Sequence, residues 1–279
     1  MNGGESVDNY DWIQIPAIEK LEGLTSSQRI NYLNATILIL KAVGKDVDEL
    51  TAYKNKVEDA VASKEGSVFT LNQQENIVSK EDIVAMIKKI KKELTIKNAD
   101  FRNGTSTNAD NNLYQLYVIL KIYELLPIRN EIANVLIIKS KDYENLNAED
   151  KDNNNYLVIN KSKFAFYFSS YKTSNTYGLR IVEIPNVLKL IIQKWIKIKG
   201  NDIPNLFIQK RGIGGALTTN NLTKILSRAS MKYMGKSVST LLLRKIFYSA
   251  KYASMKEELV HGAQVSGHSP TMAMSSYIN

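Results

Sequence analysis

Apolar positions recur at helical spacing through most of the chain, and switch to short β-rich runs only in one central stretch. Thr25 and Ser26 precede Ile30, Leu33, Ile37 and Leu40, an apolar face on a helix that Gly44 is expected to stop. Asp46 opens a second helix with Val47, Leu50, Tyr53, Val57 and Val61 on one side. The polar stretches Ser63–Ser67 and Asn72–Asn76 read as a linker. Ser79-Lys80-Glu81-Asp82 has the form of a capping box and leads into Ile83, Met86, Ile87 and Ile90. A loop is expected over Asn98–Asn112, then an apolar helix over Leu113–Leu126 that Pro127 ends. Tyr156–Ile159, Phe164–Phe168 and Leu179–Ile184 predict a small antiparallel sheet. A helix from Asn186 through Trp195 should stop at Gly200. From Thr219 onward the chain reads as helical, with breaks near Gly235, Gly262 and Gly267–Ser269. The fold class is therefore mainly α (α+β), with a helical module at 1–72 and a larger, mostly helical domain at 73–279.

Composition narrows the chemistry. The chain has 37 Lys and Arg against 28 Asp and Glu, a formal charge of +9. That excess favours a polyanionic partner, since each phosphate neutralised by a cation releases condensed counterions. There is no cysteine, so disulfides, thiolate nucleophiles and Cys-ligated zinc are excluded. With His261 and His268 the only histidines, a His-rich metal site is not expected, and no cofactor is implied. No apolar run approaches the roughly 18–20 residues that span a bilayer. Met1–Asp11 is acidic and polar, unlike a signal peptide, so an intracellular location without a membrane is expected.

The last third carries the chemistry. Leu243-Arg244-Lys245 lies on an expected helix, Gly267-His268-Ser269 forms a turn, and Tyr277 follows nine residues after His268. Arg244 precedes His268 by 24 residues. Taken singly, each of these residues reads as a surface or packing residue; in this order and spacing they resemble the tyrosine recombinase family of phage- and virus-type integrases. Leu126-Pro127-Ile128-Arg129-Asn130-Glu131 is similar to the family's first-arginine box. Tyr171-Lys172-Thr173 with Tyr177-Gly178 is similar to the hairpin that carries its lysine. The resemblance covers about residues 77–279, and the N-terminal helices fit the family's core-binding, DNA-binding domain by position only.

The resemblance implies a site-specific recombinase that breaks and rejoins DNA through a 3′-phosphotyrosine, without metal or ATP. Tyr277 would be the nucleophile, with Arg129 and Arg244 gripping the scissile phosphate from two sides. A guanidinium suits that task because its fork binds two phosphate oxygens and stays charged. Lys172 would protonate the leaving 5′-oxygen, and His268 would hydrogen-bond a non-bridging oxygen. The implied partners are double-stranded DNA and three further copies of the chain, a homotetramer on paired sites. The cellular setting would be wherever that DNA lies: nucleus, cytoplasm or viral factory. The excess of Asn, Ile and Lys and the Pro-Ile-Arg-Asn-Glu box point to integrases of large DNA viruses and virophages.

Three departures stand out. The family has His, sometimes Lys, three residues before the second arginine, where this chain has Leu241; Lys245 and His261 are the candidates to compensate. Its glutamate commonly follows the first arginine by three residues, whereas Glu131 follows Arg129 by two. Many relatives also continue past the nucleophile into a helix that docks on a neighbour, whereas this sequence ends two residues after Tyr277. A type IB topoisomerase shares the nucleophile, arginines and lysine, but the Gly-His-Ser turn favours the recombinase. A catalytically silent DNA-binding relative is the other alternative, supported by Leu241 and opposed by Tyr277. Lys210, Arg211, Lys224, Arg228, Lys232 and Lys236 read as a solvated or DNA-facing surface.

Overall fold

Helix caps set the frame of the chain. In a computed structural model that describes residues 24–64, 71–126, 128–209 and 215–267, Thr25, Ser79 and Thr107 each close a capping box with the residue three positions on: Gln28, Asp82 and Asp110. Each box satisfies two N–H groups that a helix start leaves open. The helices are α1 (Ser26–Ala42), α2 (Asp48–Lys64), α3 (Leu71–Glu75), α4 (Lys80–Ile96), α5 (Asn98–Asn103) and α6 (Asn108–Leu125). After the sheet region come α10 (Asn186–Lys199), α11 (Thr219–Met234) and α12 (Thr240–Val265).

The chain divides into two compact units, residues 1–74 and 75–279. In the first, α1 and α2 pack through Leu33, Leu40, Val47 and Leu50, with Ile37 and Tyr53 against them. Gly44 follows α1 at φ +72, the left-handed conformation that glycine adopts without a Cβ penalty.

The second unit is built on α6, whose residues Tyr114 to Leu120, with Ile122 and Tyr123, are all buried. Against it lie α4, through Ile83, Met86, Ile87, Ile90 and Leu94, and α10, through Leu188, Ile192 and Trp195. Trp195 donates its indole N–H to Leu206 O at 2.7 Å. The buried Gln115 amide brackets Ile208, donating to its carbonyl at 3.0 Å and accepting from its N–H at 2.9 Å. These bonds tie the strand-like stretch after α10 to the core.

The sheet differs from the expected antiparallel meander. The runs at β2 (Asn155–Ile159), β3 (Phe164–Phe168) and β4 (Arg180–Glu183) are antiparallel, but β1 (Leu136–Lys139) joins β2 in parallel, giving a mixed sheet in the order β1-β2-β3-β4. A parallel neighbour needs a crossover, supplied here by two short helices, α7 (Ser140–Glu144) and α8 (Ala148–Asn153). A 3₁₀ turn, Asn130–Asn134, runs into β1, and a one-turn helix, α9 (Ser174–Tyr177), interrupts the β3–β4 connection.

Other expectations also changed. Asn98–Asn112 is helical over much of its length rather than a loop, and α3 occupies part of the expected linker. Gly235 does end α11, at φ +69, but α12 passes through Gly262 unbroken. A single glycine weakens a helix by about 1 kcal/mol without forcing a stop. Among the described residues no helix is long and apolar enough to cross a membrane.

Candidate functional site

Arg129 and Arg244 are far apart in sequence; Arg129 leads into a 3₁₀ turn that packs on α11, and α11 in turn contacts α12, the helix of Arg244. Arg129 has extended backbone (φ −82, ψ −177) and leads directly into the 3₁₀ turn, which is anchored by fully buried Ile132 and Ala133. Arg244 lies one turn into α12, flanked by buried Leu242, Leu243, Ile246 and Phe247, so the apolar face of the helix fixes its position. Both arginines are half-buried.

The two segments meet at Tyr123, a fully buried residue of α6. Its hydroxyl donates to Asn130 Oδ1 at 3.2 Å. Asn130 Nδ2 donates in turn to Thr223 Oγ1 at 3.3 Å, and Thr223 Oγ1 lies 3.4 Å from Thr240 Oγ1, the first residue of α12. One run of side-chain hydrogen bonds thus connects the neighbour of Arg129 to the helix of Arg244. Burial pushes the Tyr123 phenol well above its ordinary value; the charge of Arg244 pulls it down and that of Glu131 pushes it further up. Both charges therefore act at this one hydroxyl.

Among the described residues no carboxylate forms an ion pair with Arg129 or Arg244. Arg244 Nε and Glu131 Oε2 are buried without a hydrogen-bond partner. Buried charge is costly unless paired and hydrogen-bonded; Arg244 Nε is a donor that an anion could satisfy, whereas Glu131 Oε2 is an acceptor that calls for a donor.

Lys172 is exposed on the β3–β4 connection. The base of that connection is held by the Asn155 side chain, which accepts from the N–H of Ser169 (3.1 Å) and Ser170 (3.0 Å) and donates to Ser170 O (2.8 Å). Across the turn, Tyr171 Oη donates to Gly178 O at 2.8 Å. Gly178 has φ +63, and its N–H donates to Ser174 O at 2.7 Å. Among the described residues Lys172 makes no hydrogen bond or ion pair, and no interaction joins it to either arginine. His268 and Tyr277 lie outside the described residues.

The Leu241 position is open: its side chain is 45% exposed at the start of α12, one turn before Arg244 and Lys245. His261 sits on the same continuous helix twenty residues on, about 30 Å at 1.5 Å per residue. It therefore cannot stand in for a group at Leu241, which leaves Lys245 of the two candidates. Lys224, Arg228 and Lys232 follow one another at four-residue intervals along α11, all exposed, with exposed Lys236 just beyond. They form a cationic stripe with no acidic partner among the described residues; Lys210 and Arg211 lie outside those residues.

Asn130, Tyr123 and Arg180 were not singled out from the sequence. Arg180 had a local signal: it alternates with Val182 and Ile184 on the inward side of a strand, where a cation is out of place. Asn130 and Tyr123 had none, since their partnership spans a helix end and a turn. No protein-family model matches the chain, and no curated protein matches it.

Proposed function

We propose that the chain is a DNA strand-breaking and rejoining enzyme of the tyrosine recombinase type. The observation that carries the reading is that the Arg129 segment bonds Tyr123 through Asn130 while the charge of Arg244 reaches the same hydroxyl, and that among the described residues neither arginine has an ion-pair partner. Their place in the sequence ahead of Gly267-His268-Ser269 and Tyr277 supports it further.

In this reading the two guanidiniums hold the non-bridging oxygens of one phosphodiester and stabilise the charge that builds there. The Tyr277 oxygen attacks phosphorus, its P–O bond forms as the bond to the 5′-oxygen breaks, and the leaving oxygen takes a proton from Lys172. The phenolic proton passes to water as the new bond forms. His268 donates to a non-bridging oxygen. The phosphotyrosine conserves the energy of the broken ester, so a 5′-hydroxyl from another strand reverses the step without an external energy source. The cationic stripe on α11 supplies phosphate contacts that orient duplex DNA without reading its sequence. Exchange of strands between two duplexes requires four active sites, hence a tetramer on paired sites.

Covalent trapping on nicked duplexes tests the reading. The wild type should form an SDS-resistant, protease-sensitive adduct that Tyr277→Phe abolishes. Transfer of the trapped strand to a second duplex then separates recombination from simple relaxation. Tight DNA binding without any adduct would refute the enzyme and leave a silent DNA-binding protein.

A further inference from the structure

The three helices that build the core of the second unit leave a groove of about 480 Å³ open to solvent. Its floor is α6, through the buried Tyr114 and Tyr117, and its walls are α4 and α10. On α10 the lining residues Val187, Leu190, Ile191 and Lys194 share one helical face, over about 10 Å at 1.5 Å per residue. Val187 is 62% exposed and Leu190 66%, so this apolar wall has no cover among the described residues.

The charged groups that line the groove are all of one sign. Lys91, Lys121 and Lys194 face it, and among the described residues no carboxylate does. Lys121 is paired with Glu124 of its own helix, whereas Lys91 and Lys194 form no ion pair among the described residues. Lys194 lies over the rings of Phe101 and Tyr114, at 5.6 and 5.5 Å, and donates to Asn98 Oδ1 at 2.7 Å. Its charge is thus held at the wall. Burial and the charge of Arg102 hold its ammonium below the ordinary lysine range, a cost that a nearby carboxylate would relieve. An apolar groove with a cationic rim suits an acidic segment with apolar anchors. A phosphate backbone would leave Val187 and Leu190 uncovered.

The chain contains such a segment. Residues 1–23 hold five of its 28 acids against one of its 37 bases, and Asp8 and Asp11 there lie close before Trp12 and Ile13. Residues 268–279, at the other end, hold no acid. We infer that the groove between α4 and α10 binds the acidic N-terminal stretch of a second copy of the chain, with Trp12 as the apolar anchor and Asp8 and Asp11 toward the lysines. The inference rests on the proposed assembly on DNA for its second copy, but not on cleavage. Each protomer would be clasped to a neighbour by a contact that salt weakens.

The test uses the full-length chain. Leu190→p-benzoylphenylalanine places a photoactivatable ketone in the groove at an exposed site outside the core. Labelled (¹⁵N) and unlabelled protein are mixed in equal amounts with a duplex and irradiated, and mass spectrometry identifies the joined peptides. The expected product links the α10 peptide of one isotope to a peptide from residues 1–23 of the other. Lys91→Glu, on the exposed rim, should lower its yield about threefold or more, since attraction becomes repulsion. Absence of the mixed product, a mixed product on another segment, or a yield unchanged by Lys91→Glu overturns the inference. A crosslink to the duplex also overturns it, and reassigns the groove to DNA. Mixed product without a Tyr277 adduct defeats the recombinase reading and leaves this one standing; an adduct without mixed product does the reverse.

Discussion

Replacing Asn130 by alanine should disturb both the stability of the second unit and the alignment of its arginines. In the native fold the Tyr123 hydroxyl, with no exposure to water, has Asn130 Oδ1 as its acceptor at 3.2 Å. Alanine leaves that hydroxyl buried and unsatisfied, which costs about 1–3 kcal/mol, and also frees Thr223. Tyr123→Phe removes the donor instead, and the half-buried Asn130 keeps its bond to Thr223, so about 0.5–1.5 kcal/mol is expected. In the double variant there is no hydroxyl left to orphan. The two effects should therefore fall short of their sum by about 1 kcal/mol, the signature of groups in contact. Urea unfolding measures this, followed by the fluorescence of Trp195 in a Trp12→Phe background, since Trp195 is 1% exposed and stacked 6.3 Å from Tyr114 in the core of that unit. Because the same bonds connect the Arg129 segment to α12, Asn130→Ala should also slow covalent trapping at least about tenfold, a loss of about 1.4 kcal/mol in transition-state binding. Additivity within about 0.3 kcal/mol, or trapping at the wild-type rate, would refute the coupling.

Two further outcomes follow from individual environments. Lys199 is buried at the end of α10, where its ammonium donates to the carbonyls of Gly200 and Ile203, and burial lowers its pKa from 10.5 to about 8. The folded state then holds a costly proton below pH 8 and releases it before the unfolded state does. Relative to Lys199→Met, the wild type should gain about 3 kcal/mol as pH rises from 8 to 10.5, by urea unfolding at the two ends; a difference independent of pH would refute this. Leu241→His should change stability by less than about 0.5 kcal/mol, because the site is open. It should raise the trapping rate about tenfold or more, with a pH dependence near the imidazole range; an unchanged rate would show that Lys245 or nothing is needed there.

Local rules made much of the fold legible. The boxes at Thr25 and Ser79 mark helix starts because both partners lie within one turn. The alternation of Phe164, Phe166 and Phe168 marks β3 because those three side chains are buried while Ala165 and Tyr167 are half-exposed. The failures are of another kind. Leu136–Lys139 is a four-residue strand at the sheet edge, with its first three residues half-buried, and its parallel pairing depends on a crossover rather than on any local pattern. The Asn- and Asp-rich stretch after α4 looks like loop because such residues compete with helical hydrogen bonds. Two of them, Asn108 and Asp110, instead sit in a first turn next to the Thr107 cap, where that same competition stabilises the helix.

The candidate site divides along the same line. Arg244, His268 and Tyr277 could be named only because their order and separations resemble the tyrosine recombinase pattern, and His268 and Tyr277 lie outside the described residues. That the Arg129 segment meets α12 is a property of packing around Tyr123, and no pattern near Arg129 announces it. What links the legible and illegible parts is unpaired positive charge. Arg29, Arg180 and Arg244 each have guanidinium nitrogen buried without a partner, in a chain whose 28 acids are too few to neutralise its cations. A fold selected only for stability would pair such groups or replace them with apolar ones, since an unmatched buried donor is a net loss. An arriving anion would offset that cost, so the same feature agrees with the phosphate-rich partner proposed above.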